Sequence, residues 1–90
     1  MNVFGIQASA EAAEFIREVE SAMERLYSVP RLEAIGRIRY FWSRTNFLSQ
    51  EATLLVQHQT PEHWAAQIYY GHKGDLPDDG PLRPVPYPPE

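Results

Sequence analysis

Proline limits what this chain can fold into more than any other residue. Six of its eight prolines fall between Pro77 and Pro89, and the other two stand alone at Pro30 and Pro61. Proline has no amide hydrogen and a fixed φ, so it is accepted in the first turn of a helix and rejected by helix interiors and central strands. The stretch after Gly71 is therefore neither helix nor sheet. Gly74, Gly80, Asp75, Asp78 and Asp79 add turns and charge to it. It reads as a proline-rich tail over 73–90: polyproline II, a turn-rich wrap over the domain, or a disordered tail. What precedes it, 1–72, reads as one small domain in a chain of 90 residues. Cysteine is absent, which excludes disulfides and zinc sites built on thiolates. Apolar residues are 43% of the chain, enough to drive a core and to argue against disorder throughout.

The two isolated prolines punctuate a helical pattern. Ser9 is placed to cap a first helix, with Glu11 and Glu14 near its positive end. Ala12, Phe15, Ile16, Val19, Ala22, Met23, Leu26 and Tyr27 recur at helical spacing over an arc of about 140°. Glu14, Arg17, Glu18, Ser21, Glu24 and Arg25 fill the other side. This helix ends before Pro30, because a residue preceding proline is driven out of the α region. A second helix starts at Pro30, with Leu32, Ile35, Ile38 and Trp42 on one face. Gly36 weakens it, which suggests a close approach by another helix. A strand over Ile35–Ser43 also fits, since period 2 and period 3.6 agree in so short a run. The third helix is expected over Phe47–His58, capped by Asn46 or Ser49, with Leu48, Ala52, Leu55 and Val56 as its main face. The fourth has Thr60 as cap, Pro61 in the first turn and Gly71 at its end, with Trp64, Ala65, Ile68 and Tyr69 facing inward. The expected fold is all-α, a small bundle of about four helices with an extended tail. The alternative is α+β with a hairpin around residues 35–57.

Charge narrows the partners. The net charge is -4. Five Glu and two Arg lie in residues 1–27, whereas Arg31, Arg37, Arg39 and Arg44 lie in 28–50 against one Glu. No Lys or Arg occurs from Thr45 through His72, so a continuous basic footprint for nucleic acid is lacking. Helices three and four could imitate a helix-turn-helix, but the recognition helix would carry Glu62 and no basic residue. No run of apolar residues is long enough to span a bilayer, and residues 1–6 lack the features of a signal peptide. The expectation is a cytoplasmic protein that binds neither nucleic acid nor membrane.

Aromatic residues carry the functional reading. Tyr40, Phe41 and Trp42 are consecutive, and on a helix they point in directions about 100° apart, so one core cannot bury all three. With Trp42 inward, Tyr40 falls beside Arg37 and Arg44; Tyr70 falls near His63 and Gln67. Tyr, Trp, Phe and Arg are the residues that interface cores favour. Arg37, Tyr40, Phe41, Trp42, Arg44, His63 and Tyr70 are therefore the candidate contacts for a partner, which is another protein or a second copy of the chain. Amphipathic tyrosines lying on an ordinary surface are the plainer account of the same residues. In the tail, Arg83, Pro86 and Pro89 make an R-x-x-P-x-x-P spacing that resembles an SH3-type ligand. The competing account is a tail packed on its own domain, with Leu76, Leu82, Val85 and Tyr87 as anchors.

Chemistry is thinly represented. His58, His63 and His72 are too irregularly spaced for a metal site, and no H-E-x-x-H pattern exists. No nucleophile elbow or glycine-rich phosphate loop is present. An acid or base at His63 is the one catalytic alternative. The expected function is non-enzymatic and cofactor-free: a small regulator, inhibitor, adaptor or assembly subunit. A tail acting as a linear ligand is the second expectation.

Overall fold

Ser9 starts the first helix as its position before the apolar run demands. Its backbone is extended, and its hydroxyl accepts from the Ala12 amide at 3.1 Å, satisfying one of the orphan donors of the first turn. The computed structural model describes residues 2–71 and Tyr87. Within them lie β1 (Asn2–Val3), β2 (Ile6–Gln7), α1 (Ala10–Tyr27), α2 (Arg31–Phe41), α3 (Gln50–Gln57) and α4 (Pro61–Tyr70). The domain is a small helical bundle carrying one two-stranded antiparallel sheet. The tail motif Arg83, Pro86 and Pro89, and the boundary drawn at 72/73, lie outside the described residues.

Local signals end the helices where they should. α1 stops at Ser28, which turns left-handed (φ 55°) and donates to the Glu24 carbonyl. Pro30 is extended and stands just before α2. The segment that also admitted a strand, from Ile35, is helical through Phe41. Thr60 accepts from the His63 amide at 3.1 Å, Pro61 opens α4, and the Gly71 amide closes it on the Gln67 carbonyl at 2.7 Å. Ser49, not Asn46, caps α3 by accepting from the Ala52 amide at 3.0 Å.

α1 is the hub. It packs most extensively on α4, and also on α2 and α3. Ile16, Val19 and Met23 from α1 meet Ile38 from α2 as the largest fully buried side chains. A second centre is aromatic. The Trp42 ring lies edge-on to Phe47 at 5.2 Å and to Trp64 at 5.4 Å between centroids. The Trp64 indole donates to the Val56 carbonyl at 2.6 Å, so one of the last carbonyls of α3 finds its partner in α4.

Two faces differ from expectation. On α2 the buried residues are Ala34, Arg37 and Ile38, whereas Leu32 is 80% exposed. Two successive steps of three residues drift by about 120°, so Leu32 and Ile38 cannot share one narrow stripe. On α3 the buried residues are Thr53 and Val56, and Leu54 and Leu55 face outward; Leu48, expected on the same face, lies exposed before the helix begins. Thr53 is drawn inward by its hydroxyl, which contacts the Ser9 hydroxyl at 2.8 Å and donates to the Ser49 carbonyl at 2.9 Å.

The N-terminal sheet had no counterpart in the sequence reading. Phe4 and Gly5 form its two-residue turn with φ of 51° and 85°, both positive as a type I′ hairpin turn requires. The Asn2 side chain accepts from the Gly5 amide at 3.0 Å. Phe47, expected to be helical, is instead extended and forms a parallel bridge with Ala8. It accepts from the Ser9 amide and donates to the Gln7 carbonyl, both at 2.8 Å. This single bridge ties the α2–α3 connection to the chain's start.

Candidate interaction site

Of the seven residues expected to meet a partner, the structure divides exposed from buried. Trp42 is 5% exposed and sits at the centre of the aromatic cluster. It is a core residue, and truncating it to Ala belongs to the class of core deletions that cost about 3–5 kcal/mol in folding. Reading it as a partner contact is corrected accordingly. Phe41 is half-buried, with its ring 5.7 Å from Trp42 and 6.4 Å from Trp64. Arg37 is buried, and its Nε donates to Glu33 at 3.0 Å. Tyr40 and Arg44 are exposed. His63 is half-buried beside Gln67, whose amide its ring nitrogen contacts. Tyr70 lies edge-on to Tyr27 at 5.5 Å and to Tyr69 at 5.1 Å. The seven residues therefore do not form one patch.

A smaller group does converge on the outer side of α2. Gly36, Arg39, Tyr40 and Ser43 line a cleft of about 420 Å³ together with Gly5, Ile6 and Tyr87. Helical spacing explains the first three: positions 36, 39 and 40 are one face at i, i+3 and i+4, and Ser43 follows in the turn after α2. The hairpin supplies the opposite wall. A methyl placed on Gly5 would stand 3.0 Å from the Arg39 Nε, so the arginine lies close along the turn. Tyr40 is 61% exposed beside this cleft. Arg39 and Ser43 were absent from the expected contacts, although Arg39 could have been found from its i, i+3 relation to Gly36 and its place next to Tyr40.

Tyr87 connects the cleft to a set of aromatic contacts through Arg37. Tyr27 stacks on Tyr69 with centroids 4.4 Å apart and planes 8° from parallel. The Arg37 guanidinium stands 4.8 Å from the Tyr69 centroid and 5.5 Å from that of Tyr87. A cation between ring faces is held by their quadrupoles, and burial strengthens that attraction. Burial first, and then Tyr70 and Tyr69, raise the Tyr27 phenol above its ordinary range. Tyr87 is the one described residue of the tail, and it rests on α2 as one of the expected anchors of a packed tail does.

A separate apolar surface lies on α3. Glu51, Leu54, Leu55 and His58 line it, and Leu55 is 73% exposed. Among the described residues no group of three or more His, Asp or Glu side chains is placed to hold a metal ion, and no helix is long and apolar enough to cross a membrane. No protein-family model, no curated protein and no solved structure matches the chain.

Proposed function

We propose that this chain is a non-enzymatic protein-interaction module, a small cytoplasmic regulator, inhibitor, adaptor or assembly subunit, with the outer side of α2 as its recognition face. The observation that carries this reading is Tyr40, 61% exposed beside Arg39 at an open cleft. A large amphipathic ring held out on a helix, next to a guanidinium, is the kind of anchor that dominates binding energy in protein interfaces. The ring has only two side-chain torsions to freeze, so ordering it on binding costs little entropy. The partner is another protein or a second copy of this chain.

The test is a quantitative capture with the tagged full-length protein. Wild type is compared with Tyr40→Ala and with Arg39→Ala, and bound proteins are read by mass spectrometry and light scattering. Both substitutions fall on exposed positions and are expected to leave the melting temperature nearly unchanged. Each should reduce the same stoichiometric partner, or the dimer, at least tenfold. Retention of every partner by both variants would remove α2 as the recognition face.

A further inference from the structure

Gly36 lies in the interior of α2, where local propensity disfavours glycine. What stands against it explains its presence. A methyl built on Gly36 would lie 2.6 Å from Cζ and 2.8 Å from Cε1 of Tyr87, and would overlap the phenol oxygen. The phenol end of Tyr87 thus rests directly on helix backbone, in a notch that exists only because α2 has no side chain there. The wall of the notch is Arg37, whose guanidinium faces the Tyr87 ring and is fixed from behind by Tyr69 and Glu33. Tyr87 remains 39% exposed, so it is seated rather than entombed. In sequence it is flanked by Pro86 and Pro88. Proline's fixed φ restricts the unbound chain, which lowers the entropy lost when a tyrosine so flanked docks.

We infer that the notch at Gly36 is a tyrosine-binding site, that its resident ligand is this chain's own Tyr87, and that a partner reaching it presents a tyrosine between prolines and competes with Tyr87. The inference rests on the reading of α2 as the recognition face and names the chemistry that face selects. The site's specificity follows from its parts. A phenylalanine would lose the hydroxyl's contact with the backbone floor, and a larger tryptophan would meet the helix itself.

A synthetic peptide of residues 82–90 is the probe, titrated into full-length wild type and into full-length Tyr87→Ala while amide resonances of α2 are followed. Tyr87→Ala should bind the peptide at least tenfold more tightly than wild type, because its notch is vacant. The same peptide with alanine in place of its tyrosine should not bind. Adding Gly36→Ala to Tyr87→Ala should weaken peptide binding at least tenfold. A second readout needs no peptide. In Tyr87→Ala, Gly36→Ala should raise the melting temperature by about 4 °C or more, since alanine favours helix; in wild type it should give no gain, because it evicts Tyr87. Equal peptide affinity for wild type and Tyr87→Ala, no saturable binding to either, or Gly36→Ala effects that are the same in both backgrounds would overturn the inference. If these fail while Tyr40→Ala still loses the partner, α2 stands as the recognition face and only the tyrosine notch falls. If the peptide binds as expected while Tyr40→Ala keeps its partner, the notch stands and the wider face falls.

Discussion

Glu20 is the residue whose environment most contradicts its chemistry. It lies on α1 among buried residues, its Oε1 has no hydrogen-bond partner among the described residues, and the Arg31 Nε is 3.8 Å away. Burial, followed by the hydrogen bond and repulsion of Glu24, pushes its carboxyl up to about 7, against the pull of Arg31. The folded state therefore keeps a proton that the unfolded chain releases near its ordinary value of 4.5. Stability from this group is complete at low pH and declines as pH rises from about 4.5 to about 7. A shift of that size corresponds to at most about 3 kcal/mol. Glu20→Gln preserves the shape and cannot ionise. It is expected to stabilise the protein by about 1–3 kcal/mol at pH 8 and by little at pH 4, measured as urea midpoints against wild type. A gain of equal size at both pH values would show that charge at Glu20 is not the cause.

At the scale of elements, α3 is the least committed helix. It has eight residues, too few to be stable alone. Its hold on the domain comes from Ser49 at its start, Thr53 and Val56 in the core, and the Trp64 indole at its last turn. Leu54 and Leu55 contribute little to that hold because they face outward. Leu54→Gln with Leu55→Gln should change folding stability by no more than about 0.5 kcal/mol, read by thermal melting. Thr53→Val should cost about 1 kcal/mol or more, because it leaves the Ser9 hydroxyl without its partner across the α1–α3 contact. Legibility differed in the same way between elements. The caps at Ser9 and Thr60 and the end at Gly71 were readable, since each acts on amides within four residues of itself. The faces of α2 and α3 were not, because Leu32, Leu48 and Leu55 are as apolar as the residues that won the interior.

On the scale of the molecule, both tryptophans belong to one cluster that joins α2, the Phe47 bridge and α4. That cluster abuts a core centred on α1, with no seam between the two. Unfolding should therefore be a single cooperative event. Tryptophan fluorescence and far-ultraviolet circular dichroism should give the same urea midpoint within error. Separate midpoints would mean that the aromatic cluster melts apart from the α1 core. The site on α2 is a product of this scale. Gly5 comes from the hairpin, Arg39 and Tyr40 from α2, and Tyr87 from a position about fifty residues further along. In the sequence Gly36 reads as a weak point that invites another helix, whereas what stands against it is the ring of Tyr87, about fifty residues away and invisible to any local pattern.

What the amino-acid sequence determined by itself was the caps at Ser9 and Thr60, the end at Gly71 and the helical character of the segments they bound. Those follow from backbone dihedrals, missing amide hydrogens and capping bonds, all of which act over a few residues. Only the tertiary structure decided which face of each helix is buried, that Asn2–Gln7 folds back as a hairpin, that Phe47 bridges Ala8, and that Tyr87 lies on Gly36. These are contests between side chains of similar hydrophobicity, settled by which surfaces fit once distant segments meet. Nothing in a local pattern ranks them, because the free energy that separates the outcomes is packing against neighbours the chain brings from far away.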